Sequence, residues 1–176
     1  MVERKFGFAV AALVFILDQL TKWIVSGPLG IDAIGDQLAI IPIFNLTYTE
    51  NFGISLGLFQ ANSATGQWLL IAVTGAIAAG VAYWIGREKQ RFDQVALGMV
   101  LGGALGNILD RARFGHVVDF ADLHFGDFRP FLIFNVADAA ISIAVVIMLL
   151  RAFLPGKDAD ENRAKGHEPR ETIDHA

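Results

Sequence analysis

The sequence predicts an all-α integral membrane protein: four transmembrane helices, with a small extracytoplasmic β-sheet inserted between the first and the second. Three observations carry this. Of 176 residues, 54% are hydrophobic and only 18% charged, and the mean hydropathy is +0.49, which excludes a disordered chain and sets the protein apart from ordinary soluble domains. Four apolar segments, 6–24, 68–85, 92–109 and 131–150, approach the length needed to cross a hydrocarbon core of roughly 30 Å. Lys and Arg are unevenly placed around those segments. Residues 1–154, including the long connection 27–66, read as one membrane domain, and 155–176 as a charged, disordered cytoplasmic tail in which His167 and His175 have no assigned role. With no cysteine, disulfides and thiolate chemistry are out of reach, and a net charge of -4 offers no basic footprint for nucleic acid.

The first segment resembles a secretory signal only superficially. Asp18 and Lys22 interrupt it, and three more apolar segments follow. Arg4 and Lys5 precede it, Arg87, Lys89 and Arg91 punctuate the short turn after the second segment, and Arg151 and Lys157 follow the fourth, whereas 27–66 has no Lys or Arg. The positive-inside bias places both termini and the 86–93 turn in the cytoplasm, and the 27–66 and 110–130 connections outside. Trp23 and Trp68 then fall at the outer interface, Tyr83 and Trp84 at the inner one. Within 27–66, Asn45, Thr47 and Thr49 alternate with Phe44, Leu46 and Tyr48. That period of two predicts a strand, and a small sheet over 44–59 whose apolar side rests on the membrane or the bundle mouth. Residues 62–66 mark its return and cap the second helix. Gly98, Gly102, Gly103 and Gly106 read as a close-packing surface of the third segment.

Polar residues inside the segments fall at one depth. Asp18 and Lys22 lie four apart near the outer end of the first, and Asn107 and Asp110 three apart at that of the third. Asn135, Asp138 and Ser142 share a face of the fourth, with Asp138 roughly 10 Å along from Phe131 at about 1.5 Å per residue. The 110–130 connection adds Asp119 above them. An ionisable residue in an apolar span is costly without partners, so Asp138 reads as functional. Asp18–Lys22 and Asp110–Arg111 also read as ion pairs that fix helix packing.

The residue inventory then limits the chemistry. Ser142 has no adjacent histidine, and Lys22 already has an acidic neighbour, which disfavours a Ser-Lys pair. His116, Asp119, Asp122, His124 and Asp138 could ligate a metal, but no HExxH occurs, and neither a metal nor another cofactor is expected. Two carboxylates sharing a proton remain: close like charges raise one pKa and leave the other low, giving an acid and a base for water attack on a peptide carbonyl. Asp138 is the anchored member, with Asp119 or Asp110 as partner. Arg111 follows Asp110 and argues that Asp110 is already neutralised, whereas Asp119 sits in the apolar run Val117-Val118-Asp119-Phe120. Asp119 and Asp138 are therefore the expected pair. A proton- or ion-coupled transport element is the rival reading of intramembrane acids, but it would need polar groups at more than one depth.

The same residues resemble the bacterial lipoprotein signal peptidases, the type II signal peptidases. The likeness spans about Phe8 to Leu150 and rests on Asp18-Gln19-Leu20-Thr21-Lys22, the Asn51-Phe52-Gly53 region, Gly102 to Arg111, Val117 to Phe120, and Phe134 to Asp138. It implies an aspartyl endopeptidase of the bacterial inner membrane with four transmembrane helices and an extracytoplasmic β-cradle. That enzyme would remove the signal peptide from diacylglyceryl-modified prolipoproteins, just before the lipidated cysteine. Asp119 and Asp138 match the catalytic pair of that family. Asn107, Asp110, Arg111 and Asn135 match groups lining or bracing the site, Asp18 and Lys22 a supporting pair, and Asn51 a polar residue near the substrate. Leu56 stands where the family usually has an aromatic residue. The implied partners are the prolipoprotein and membrane lipid, and nothing in the sequence demands a dimer, so a monomer is expected.

Overall fold

The computed structural model describes residues 5–53 and 64–153. The expected strand residues 54–59, Leu56, the capping residues 62–63 and the 155–176 tail lie outside the described residues. In chain order the elements are α1 (Lys5–Ser26), β1 (Gln37–Ile41), β2 (Phe44–Asn51), α2 (Ala64–Ile85), α3 (Arg91–Phe114), β3 (Val117–Leu123) and α4 (Val136–Phe153). All four helices are long and apolar enough to cross a membrane. At about 1.5 Å per residue, the 22 residues of α1 and of α2 match the hydrocarbon thickness. Their large apolar side chains, such as Leu13, Ile16, Val73 and Ile77, point away from the protein, as lipid-facing positions do.

The helix α3 is central and packs on the other three. Its glycines make that possible on two faces at once. A Cβ at Gly102 would collide with the Ala11 carbonyl and Val14 of α1, and one at Gly103 would lie 2.7 Å from the Ala137 carbonyl of α4. Close backbone approach through small residues is how helices associate where lipid offers no hydrophobic drive. An apolar cluster of Ala11, Ala78, Ile85, Leu97 and Leu101 joins α1, α2 and α3.

The sheet differs from the expectation in its construction. It has three strands in the order β1-β2-β3, and its third strand comes from the second outer connection, between α3 and α4. β1 and β2 form an antiparallel hairpin, and β2 pairs antiparallel with β3, from Phe44 opposite Leu123 to Asn51 opposite Val117. Nearly all of β3 is buried, so it shows none of the alternation that marks a half-exposed strand. Val118, Phe120 and Ala121 pack with Val25, Ile31 and Tyr48, which fastens the sheet to the end of α1.

Two helix boundaries also differ, and both move functional residues. The third helix continues to Phe114, where Gly115 (φ 79) closes it with its N–H on the Arg111 carbonyl. Asp110 is thus helical, as its spacing from Asn107 predicts, and so is Arg111, which was expected in the 110–130 connection. The fourth helix begins at Val136, not Phe131: Phe134 takes a β-bridge with Ala121, and the Asn135 side chain accepts the Asp138 N–H at 2.9 Å, an N-cap. Asp138 therefore sits in the first turn of α4 rather than roughly 10 Å inside a helix begun at Phe131.

Candidate active site

The polar residues of α1, α3, β2, β3 and α4 converge where the sheet meets the bundle. Asp119 lies on β3, is 1% exposed, and pairs in register with Thr49 of β2. Asn135 Nδ2 donates to its Oδ1 at 2.6 Å, and Asn51 Nδ2 to its Oδ2 at 3.0 Å. Asp138 Oδ1 accepts Asn107 Nδ2 at 2.9 Å. Asn135 Nδ2 is also 3.3 Å from Asn107 Oδ1, so two amides link the two carboxylates. Burial pushes the Asp119 carboxyl up to about 7, and the neighbouring Asp138 charge adds to that rise, against the lowering effect of Asn51, Asn135 and Lys22.

Beneath this pair lies a second set of charges. Lys22 Nζ is 2.8 Å from Asp18 Oδ2 and 2.6 Å from Asp110 Oδ2, and 3.4 Å from Asn107 Oδ1. The expected Asp18–Lys22 pair is present. Asp110, however, is neutralised by Lys22 rather than by Arg111, because successive helical residues point in different directions. Arg111 instead faces a cleft of about 870 Å³ lined by Thr49, Asn51, Gly53, Asp119, Arg129 and Leu132 among others. Its Nε is buried with no partner among the described residues. The cleft thus brings together the Arg111 guanidinium and a buried carboxyl raised to about 7, a perturbation of the kind that marks candidate functional sites.

Every expected site residue except Arg111 thus makes a direct hydrogen bond or ion pair within one network, and Arg111 lines the same cleft as Asp119. The donors of a metal reading do not gather: no three such groups converge among the described residues. Asp122 is gripped by Arg129 at 3.1 Å, while His116 lies 3.4 Å from the Tyr48 hydroxyl. A second cavity, of about 410 Å³, reaches Lys22 and Asp110 from the side of Tyr48 and His116. Sequence reasoning named Gln19 only within the Asp18–Lys22 stretch and gave it no role, yet its Nε2 lies 2.9 Å from Asp110 Oδ1. Its place between Asp18 and Lys22 on an apolar helix was the available signal.

A buried acid pair is held between the transmembrane helices and the surface sheet, and the chain's relatives make it a membrane-embedded peptidase of the aspartic type. The family model described as Signal peptidase (SPase) II matches residues 10–154. The lipoprotein signal peptidase of Sphingopyxis alaskensis is 55% identical over 161 residues, covering 92% of each chain. That of Rhizorhabdus wittichii is 53% identical over 152 residues, 86% of this chain and 88% of its own. Two bacterial membrane enzymes solved by the in meso method superpose with TM-scores of 0.72 and 0.68, at 31% and 29% identity, covering 85% and 94% of this chain and 94% and 93% of theirs. The chain belongs to the signal peptidase II family, the lipoprotein signal peptidases of the bacterial inner membrane, which remove signal peptides from prolipoproteins.

Proposed function

We propose that Asp119 and Asp138 are the hydrolytic pair of this peptidase and that the cleft beside them receives the cleavage region of the prolipoprotein. The observation that carries this is the buried Asp119 carboxyl, raised to about 7 with Asp138 as its charged neighbour. At neutral pH Asp119 supplies the proton and Asp138 the base. Asp138 takes a proton from water, the hydroxide oxygen bonds to the scissile carbonyl carbon, and Asp119 delivers its proton to the carbonyl oxygen. Collapse of the gem-diol breaks the C–N bond as the proton gained by Asp138 passes to the leaving nitrogen and one diol hydroxyl returns its proton to Asp119, which resets the pair. Arg111, which lines the cleft, is suited to hold a substrate carbonyl through its guanidinium. Asn51, Asn107 and Asn135 fix the two carboxylates, and Asp18, Lys22 and Asp110 brace them from below.

The uneven placement of Lys and Arg supports cytoplasmic termini and an extracytoplasmic site. The diacylglyceryl chains then stay in lipid while the signal helix enters between the protein's helices, and cleavage falls on the N-terminal side of the lipidated cysteine. The enzyme works as a monomer among membrane lipids, on a single domain of residues 1–154, without cofactor or nucleic acid. A gel-shift cleavage assay with a diacylglyceryl-modified prolipoprotein and its unlipidated form tests this substrate. Cleavage of the lipidated form alone is expected. Equal cleavage of both would show that the lipid is not part of what the enzyme recognises.

A further inference from the structure

Buried polar groups that the hydrolysis itself does not use are concentrated beneath the aspartate pair. Asp18 on α1 and Asp110 on α3 are 0% and 1% exposed and share the single ammonium of Lys22. Each carboxylate also accepts one peptide N–H. Asp18 Oδ1 takes that of Ala137 at 2.9 Å, and Asp110 Oδ2 that of Val118 at 3.2 Å. Ala137 immediately precedes Asp138, and Val118 immediately precedes Asp119. One lysine, acting through two carboxylates, therefore grips the backbone next to both members of the pair. Two carboxylates on one ammonium leave a negative charge without a cation, in a place where lost hydration is expensive. Gln19 supplies the missing donor: its Nε2 lies 2.9 Å from Asp110 Oδ1, 3.2 Å from Asp18 Oδ2 and 3.4 Å from the Gly106 carbonyl.

We propose that Gln19 is a positioning residue, a neutral cross-tie that with Lys22 holds Asp18 and Asp110 at a fixed separation and thereby sets the spacing of Asp119 and Asp138. This rests on the assignment of those two aspartates as the hydrolytic pair. Spacing matters because the mutual repulsion of close carboxylates is what divides them into acid and base. The groups facing Asp119 are Asp138 of α4, Lys22 of α1, Asn51 of β2 and Asn135 ahead of α4, with Arg111 of α3, Glu50 of β2 and Arg129 of the β3–α4 connection lining the same cleft. Gln19 carries no charge, so its replacement alters none of these fields directly. A loosened tie lets the like charges relax apart, Asp138 then raises Asp119 less, and the alkaline limb of the rate profile moves to lower pH.

The test is the pH dependence of cleavage of a diacylglyceryl-modified prolipoprotein by the full chain in detergent, for the wild type, Gln19→Met and Gly106→Ala. Methionine keeps the length of glutamine and removes the donor. Alanine at 106 would put a Cβ 2.5 Å from Asp18 Oδ2, pressing the same strut from α3 without changing a polar group. Both variants are expected to lose about tenfold in kcat, the size of one hydrogen bond to a charged group, with KM little changed. In both, the alkaline limb moves acidward. Lower activity with an unmoved limb in Gln19→Met would reduce Gln19 to a purely structural part and overturn the proposal, as would a wild-type profile. If Gln19→Met fails to fold, Gly106→Ala carries the test of the strut, and an unmoved limb there overturns it. A wild type that leaves the substrate uncut would instead refute the hydrolytic assignment.

Discussion

Replacing Asp119 by asparagine should make the protein's stability less sensitive to pH while abolishing cleavage. Burial raises the folded Asp119 carboxyl from its ordinary 3.8 to about 7. Because the folded value is the higher one, the fold binds this proton more tightly than the unfolded chain does. Stability from this group is therefore fullest below about pH 4, falls as pH rises, and levels off above about 7. At about 1.4 kcal/mol per pH unit, the whole fall is on the order of 4 kcal/mol, and the part between pH 5 and pH 8 is on the order of 3. Asp119→Asn has no such proton to lose. Its side chain keeps the size of aspartate but can accept from only one of Asn51 and Asn135, so the variant starts from a lower stability at pH 5. Thermal unfolding in detergent at about pH 5 and about pH 8 gives four midpoints. The wild type should lose distinctly more between the two conditions than the variant. Equal losses would show that Asp119 is not held protonated by its surroundings, and the division into acid and base would fail with it.

Three further outcomes follow from the same geometry. Asp18→Ala should cost on the order of 2 kcal/mol in stability: Lys22 keeps the Asp110 carboxylate as its counter-charge, but the buried Ala137 N–H is left without its acceptor. Denaturation midpoints and membrane yield report that loss. Gly53→Ala should lower activity by about tenfold or more: the position has φ 77, and a Cβ there would lie 2.7 Å from Leu70 Cδ2 and 3.3 Å from Arg111 Nη2. A chelator such as EDTA should leave the cleavage rate unchanged, since no three metal-binding groups converge among the described residues. A rate that fell with EDTA and returned with added metal would contradict that.

How far the sequence discloses this architecture depends on the element. The four spans are legible because lipid imposes apolar character along their whole length, and the acids within them stand out for the same reason. β3 is illegible as a strand. Val117–Leu123 is buried on both faces, so the period of two that exposes β2 is missing, and only its pairing with β2 defines it. The start of α4 is hidden in a similar way. Phe131–Phe134 is as apolar as the helix after it, and the boundary is decided by the bridge from Phe134 to Ala121 and by the Asn135 cap. At the site, the residue types and their common depth were readable, and so was Asp18–Lys22 at helical spacing. The partner of Asp110 was not. Adjacency in sequence suggested Arg111, but helical geometry turns that side chain toward the cleft and brings Lys22 of another helix to Asp110. Gln19 was given no role because an uncharged amide draws attention only once both carboxylates it joins are in place.

The central claim is that Asp119 and Asp138 together perform the hydrolysis. Its most direct test is single-turnover cleavage of a diacylglyceryl-modified prolipoprotein by Asp138→Asn and Asp119→Asn, each first shown to be folded by circular dichroism and to bind the substrate. Both variants should bind and neither should cut. Substantial cleavage by either folded variant would contradict the account, because an asparagine there can neither take the proton from water nor give one to the carbonyl oxygen.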